Sequence, residues 1–324
     1  MASNQFLKDA RCKYPIICGA MYPCSNPELV SAVAKAGAMA IIQPVSLTFV
    51  HGRNFRKGIQ EIQSRAQAPV GLNLLIEKSS KTYLEKNKEW LEIALEEGVR
   101  FFVTALGKPD WFVERCHKFG AKVYHDVTTK KWAKVAIDGG VDGLICVNNR
   151  AGGHAGSETP EKLIEDLAGF GLPLVCAGGV GSPEKFKEML DLGYSGVQMG
   201  TRFIATKECS AHEDYKKAIL TAREKDIILT EKITGVPVSI INTNYMKKKG
   251  AKPNPLVDKL LKNNQTKHLI RGAFSIKSLW QLKQSNKKGT NYSDFFQAGK
   301  SVEGISELLA AKDIVAEYAK TIES

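Results

Sequence analysis

Between Tyr14 and Gly200, short apolar runs alternate with longer amphipathic ones, and glycine marks most of the joins. The apolar runs are Tyr14–Gly19, Ala38–Pro44, Pro69–Leu75, Val99–Leu106, Lys122–Val127, Val141–Val147, Leu172–Ala177 and Gly196–Gly200. Each has the length and bounding turn residues of a strand. Between them lie helical periodicities: Asn26–Ala36, a basic stretch before Pro69, Lys81–Glu97, Asp110–Phe119, Lys130–Asp138, Pro160–Gly169 and Pro183–Leu192. Asn26 before Pro27 has the chemistry of a helix start, and Gly37, Gly98, Gly120 and Gly193 that of helix ends. Strands alternating with helices build βαβ units and a parallel sheet. Eight units predict an α/β fold, a (β/α)8 barrel. An open doubly wound sheet is the competitor, but no G-x-G-x-x-G follows the first strand.

After Phe203 the rhythm breaks. His212–Lys225 reads as a helix, 226–298 is irregular and lysine-rich, and Ser301–Ser324 returns to helical spacing through Val302, Ile305, Leu308, Ile314, Val315 and Tyr318. We take the last helix as the eighth barrel helix. The barrel then spans 1–207 and 299–324, and a small, mainly helical, basic domain (208–298) is inserted between strand eight and the last helix. Strand ends form the catalytic face, so the insertion would roof it.

Charge sharpens this picture. The chain of 324 residues carries a net +12, yet residues 241–290 alone hold twelve Lys/Arg against the single acid Asp258. A nearly neutral body therefore bears one basic segment, suited to an anionic partner or simply to solvent. Aromatic interleaving there is sparse (Tyr245, Phe274, Trp280), which argues against nucleic acid. No run approaches a membrane span, and the charged N-terminus lacks an apolar signal core. Seven cysteines without C-x-x-C pairs or zinc-finger spacing predict thiols, no metal site and a cytoplasmic location, with Cys18, Cys146 and Cys176 as core residues.

Candidate chemistry gathers at the strand ends: Gly19-Ala20-Met21, Asn73, His125-Asp126, Gly152-Gly153-His154, Ala177-Gly178-Gly179 and Gln198-Met199-Gly200-Thr201. The seventh and eighth loops of such barrels frequently bind phosphate, and glycine brings bare N–H groups close to it. Gly178, Gly179, Gly200 and Thr201 are so placed, for a flavin mononucleotide or a phosphorylated substrate. His154, framed by glycines, suits proton abstraction from carbon. Strand alternation sends His125 and Asp126 to opposite faces, so at most one enters the mouth. His125 is kept as a structural or flavin-edge candidate.

Pro15–Met21, Gly71-Leu72-Asn73, Ala151–Gly156, Ala177–Gly179, Gln198–Phe203 and Ala298-Gly299-Lys300 together resemble the motifs of nitronate monooxygenases, in the same order. The resemblance implies a TIM barrel that binds FMN noncovalently. It implies FMN contacts from Met21, Asn73, Gly152, Gly179 and the Gln198–Thr201 turn, with His154 as catalytic base. The substrates would be a small anionic alkyl nitronate and O2. The sequence is also similar to flavin-dependent enoyl-acyl carrier protein reductases and NAD(P)H:quinone reductases. Those would draw on NAD(P)H, and an acidic carrier protein would suit the basic insertion. Oligomeric state stays open. The chain departs from the family pattern at Val147, where Gln or Glu is frequent, at Arg150, where Glu is frequent, and at Ala20, where Gly is usual.

Overall fold

The computed structural model describes residues 4–76, 81–232, 236–251 and 295–323. Eight parallel strands close into a barrel in sequence order: β1 (Ile16–Cys18), β2 (Met39–Ile42), β3 (Gly71–Leu75), β4 (Phe101–Ala105), β5 (Lys122–Val127), β6 (Gly143–Val147), β7 (Leu174–Ala177) and β8 (Gly196–Met199). Pairing of Ile17 with Gln198 closes the ring. Helices α2 (Pro27–Lys35), α3 (Phe55–Ala66), α4 (Lys81–Glu96), α5 (Asp110–His117), α6 (Lys130–Ile137), α7 (Pro160–Leu167) and α8 (Pro183–Asp191) join consecutive strands. The predicted (β/α)8 barrel is thus observed, with β5 matching its apolar run and the other seven strands trimmed to part of theirs.

Alternation along the strands divides the core in two. Ile17, Met39, Ile41, Phe101, Val103, Tyr124, Ile145, Val175 and Ala177 fill the interior. The alternate residues pack against the helices. The floor comes from a helix the periodicity did not announce, α1 (Gln5–Ala10). Phe6 of α1 meets Phe101 and Tyr124 edge-on, with ring centroids 6.1 and 5.9 Å apart. The Tyr124 hydroxyl donates to Asp9 Oδ2 at 3.0 Å, and Gln5 Nε2 donates to Asp9 Oδ1 at 2.8 Å. The buried carboxylate is therefore satisfied at both oxygens. Tyr124→Phe removes one donor from it and is expected to cost about 1–3 kcal/mol in denaturant unfolding. An unchanged unfolding midpoint would show that water replaces the hydroxyl.

After β8 come α9 (Thr201–Ile204) and α10 (Glu213–Thr221), the antiparallel pair β9 (Ile227–Thr230) and β10 (Val238–Ile241), and α11 (Asn244–Lys249). The antiparallel pair was not expected from the sequence. The rest of the expected helical insertion, with Phe274, Trp280 and the cations from Lys252 to Lys288, lies outside the described residues. Lys207 N–H donates to Leu309 O at 3.1 Å, so the chain leaves the barrel and returns at neighbouring points. The last helix, α12, runs Ala311–Glu323 rather than starting at Ser301. It packs on α2 and α8, Tyr318 lying 5.6 Å from Phe186, and so closes the helical ring. Val302 and Ile305 are buried as their spacing implied, but in and beside a 3₁₀ turn, Lys300–Gly304. That turn crosses the β7 loop too closely for an α-helix: a Cβ on Gly181 would lie 2.0 Å from Ser301 O.

No helix among the described residues is long and apolar enough to cross a membrane. No disulfide joins the cysteines, and Cys18, Cys146 and Cys176 are buried as expected.

Candidate functional site

The C-terminal ends of the strands form a mouth above the apolar interior. Ala20, Val147 and Ala177 cap the interior core there, so Val147 supplies packing where the family pattern often has a polar side chain. Gly19 N–H donates to Met199 O at 3.1 Å, joining the ends of β1 and β8. Gln198 lies across Gly19, where a Cβ would come within 3.0 Å of its side chain. Met21 is held by its backbone: its N–H donates to Ser25 Oγ at 2.9 Å, and its carbonyl accepts from Ser25 N–H at 2.8 Å. Its sulfur lies against Gly200. Asn73 lies on the inward side of β3 and donates from Nδ2 to Val103 O at 3.2 Å.

The glycine turns after β7 and β8 sit side by side, because Ala177 pairs with Gln198. Gly178 and Gly179 have φ of 120° and 83°, and a Cβ on Gly178 would fall 2.5 Å from both Ala151 N and Asn148 Oδ1. Only glycine fits there. The N–H groups of Gly178, Gly179, Gly200 and Thr201 make no hydrogen bond among the described residues. Asn148, fully buried, staples the turn to the β6 loop: its Nδ2 donates to Gly178 O at 3.0 Å and its Oδ1 accepts from Arg150 N–H at 2.8 Å.

The histidine loop is pinned from outside the barrel. Ser239 N–H of β10 donates to Gly153 O at 2.7 Å, and Lys300 N–H donates to Arg150 O at 2.9 Å. Gly152 and Gly299 cross backbone on backbone, since a Cβ on Gly299 would lie 2.6 Å from Gly152 N. His154 follows directly, exposed at the mouth. The protein packed around it lowers its pKa by desolvation, which favours neutral imidazole.

Arg150 lies over the β7 turn and forks onto Glu224, with contacts of 3.1 and 2.6 Å; Lys300 adds a third at 3.3 Å. Burial pulls the Glu224 carboxyl upward, but Arg150 and Lys300 outweigh it and hold the pKa below the usual range. The charge reversal beside the histidine loop is thus answered by an acid that follows α10 in the chain.

His125 and Asp126 part as alternation requires. His125 faces the helical layer, buried, with Nδ1 2.8 Å from Thr104 Oγ1, and burial lowers its pKa to about 4. Asp126 shares the inward side with Tyr124. Its Oδ1 and Gln198 Oε1 are buried without a hydrogen-bond partner among the described residues. The imidazole of His125 therefore takes up its proton only near pH 4 when folded, against about 6.5 when unfolded. It favours the fold at neutral pH and loses that contribution as pH falls from about 6.5 to 4. His125→Gln is expected to destabilise the protein at pH 7, with the gap narrowing as pH falls, by up to about 1.4 kcal/mol per unit. A gap constant between those pH values in urea melts would sink this. Among the described residues no cluster of His, Cys, Asp and Glu could hold a metal.

Sequence reading singled out His154, the glycine turns, Met21, Asn73 and Gln198. It noted Asn148 among the polar residues after the sixth strand without giving it a role, and it did not single out Ser239 or Glu224, whose contacts join segments far apart in the chain.

The model of the nitronate monooxygenase family matches residues 4–320. A carboxyl-CoA dehydrogenase of Mycobacterium tuberculosis, named for a 5-hydroxy-7a-methyl-1-oxo-octahydroindene substrate, is 25% identical over 73% of this chain, which spans 65% of that protein's length. A probable nitronate monooxygenase of Staphylococcus saprophyticus is 27% identical, with 81% of this chain and 84% of that one aligned. The solved structure of FabK from Thermotoga maritima superposes with a TM-score of 0.79 at 24% identity, covering 100% of this chain and 98% of that one. A barrel with a glycine-framed histidine at its mouth, matched across nearly its whole length, places this chain in the nitronate monooxygenase family.

Proposed function

We propose that the protein binds FMN noncovalently and oxidises alkyl nitronates with O2 to carbonyl compounds and nitrite, with His154 as the base for neutral nitroalkanes. The observation that carries this is the pair of glycine turns with four N–H groups making no hydrogen bond among the described residues, beside a histidine at the same mouth. The residues present suit FMN. Gly178, Gly179, Gly200 and Thr201 offer donors to a phosphate. Gly19, Ala20, Met21, Asn73, Gly152, Gly153, Ala177 and Gln198 belong to the same strand ends and loops, whereas the Met199 side chain packs in the helical layer, so Met199 would meet the group through its backbone alone. The buried oxygens of Asp126 and Gln198 await a polar ring. His125, on the outer face, would act on such a ring through Thr104 and β5 rather than by touching it. Bound FMN supplies electron transfer from the nitronate to O2, chemistry that protein side chains lack.

The chain's own part is proton chemistry and containment. A neutral nitroalkane must first lose its α-proton. His154, kept neutral by desolvation, can accept it at a ring nitrogen. A preformed nitronate needs no such step. The loop that carries His154 is strapped by β10 and by Gly299-Lys300, which limits the histidine's motion.

Anaerobic propyl nitronate is expected to bleach the protein-bound flavin without NAD(P)H, and oxygen to restore it. Bleaching by NADH or NADPH alone would give the reductase reading instead, with an enoyl thioester on an acidic carrier or a quinone as substrate. A colourless protein that fails to bind added FMN would overturn both.

A further inference from the structure

One acidic side chain at the mouth is not used by the chemistry above. Asp126 lies near the end of β5, in register with Ile145 of the barrel interior and one inward position above Tyr124. The barrel thus holds two interior acids, and they are treated differently. Asp9, on the floor, accepts from Gln5 and Tyr124. Asp126, at the mouth, has a buried oxygen with no partner among the described residues, and so does Gln198 on β8. Leaving a buried polar group unsatisfied is costly, and native proteins seldom do it without a reason. Two such oxygens at the ligand end of a barrel point to a ligand that completes them.

We propose that Asp126 is a binding and tuning residue for the flavin ring, donating a hydrogen bond from its carboxylic acid to an acceptor on the ring's polar edge beside the Gln198 amide. This rests on the flavin reading above. An ionised carboxylate only accepts hydrogen bonds, whereas the neutral acid has one O–H to donate. The polar edge of an isoalloxazine carries carbonyl and ring-nitrogen acceptors around one N–H. A neutral acid therefore suits an acceptor there, and the Gln198 carbonyl suits the N–H. A carboxylate would repel that edge, and more strongly once the ring has gained electrons.

The surroundings keep the acid neutral. Burial raises the Asp126 carboxyl to about 7, and no cation among the described residues opposes it. The groups its strand register sets beside it are uncharged: Ile145 and Val147 of β6 and Tyr124 below, and the polar side chains on the inward side of β3 and β8, Asn73 and Gln198, are neutral amides. His125 and Cys146 lie on the opposite face of the sheet, His125 with its pKa depressed and Cys146 with its thiol raised, so both are neutral near pH 7. His154 at the mouth is likewise held toward its neutral form.

Holoenzyme with Asp126, Asp126→Asn and Asp126→Ala separates the possibilities, read by FMN dissociation constant and flavin midpoint potential. Asn keeps an N–H donor of similar size, and its FMN affinity is expected to stay within about threefold of wild type. Ala removes the donor and is expected to weaken FMN about tenfold and to make the potential more negative. Wild-type affinity should fall as pH rises through about 7, and the Asn variant should not show this fall. An Ala variant with wild-type affinity and potential would overturn the assignment, as would a flat wild-type pH profile. Wild-type protein that takes up no FMN would overturn the flavin reading together with it. The apoprotein supplies a check on folding. Losing an unpartnered buried carboxylate should leave the Tm of Asp126→Ala at pH 8 no lower than wild type, and a lower Tm would show a partner the proposal denies.

Discussion

His154→Ala is expected to lower kcat/KM for neutral nitroalkanes by about 10²–10⁴-fold, the usual contribution of a positioned general base, while preformed nitronates lose far less. The contrast follows from the chemistry. Breaking the α-carbon–hydrogen bond needs an acceptor for the proton, and a nitronate has already lost it. His154 meets the demand because desolvation favours the neutral imidazole. The loop is braced on both sides, by Ser239 N–H on Gly153 O at 2.7 Å and Lys300 N–H on Arg150 O at 2.9 Å, so truncating the side chain should not unseat it. Steady-state rates with nitroethane and ethyl nitronate, measured side by side, decide the matter. Equal losses on both would remove the base role and leave His154 a binding residue.

Gly178→Ala and Gly200→Ala are expected to weaken FMN alike but to differ in stability. At Gly178 the backbone has φ of 120°, and a Cβ would come within 2.5 Å of Ala151 N and Asn148 Oδ1. Neither atom can yield, since Asn148 is itself fixed by hydrogen bonds to Gly178 O and Arg150 N–H. The substitution should cost about 1–3 kcal/mol in backbone strain alone, and more from the clash. At Gly200 φ is negative, and the nearest side-chain atom to a new Cβ is Met21 Sδ at 3.5 Å, an ordinary contact. That variant should fold normally, yet its methyl group would stand where two N–H groups wait for phosphate. We expect an FMN affinity loss of at least about tenfold with an unchanged Tm of the apoprotein. Full FMN binding by Gly200→Ala would mean that phosphate does not approach this turn.

Much of this was legible in the sequence because it is local. A parallel strand buried on both faces reads as a continuous apolar run, and Gly37, Gly98, Gly120 and Gly193 ended the helices between. β5 was read to the residue, Lys122–Val127. The glycine turns and His154 were legible because they fall at strand ends. Other features depend on distant partners. Helix α1 is six residues long and has no strong period, and it forms because Phe6 finds Phe101 and Tyr124 across the barrel floor. Arg150 reads as a charge reversal until Glu224, 74 residues away, is seen to hold it. The final helix begins ten residues late because the chain must first cross the β7 loop as a tight turn.

The opposition of His125 and Asp126 shows where the boundary falls. Alternation along a strand is a property of the backbone, so adjacency alone established that only one of the two enters the mouth. Which one it is depends on how the sheet curves when β8 closes on β1, a long-range event that local sequence does not encode. Closure turned Tyr124 and Asp126 inward, left one carboxyl satisfied below and one unsatisfied above, and sent His125 to Thr104 on the outside. Sequence alone determined the order of strands and helices and the glycine-rich strand ends, since those rest on period and turn chemistry. The tertiary structure decided which polar atoms meet and which are left waiting, since that depends on segments distant in the chain being brought within hydrogen-bonding distance.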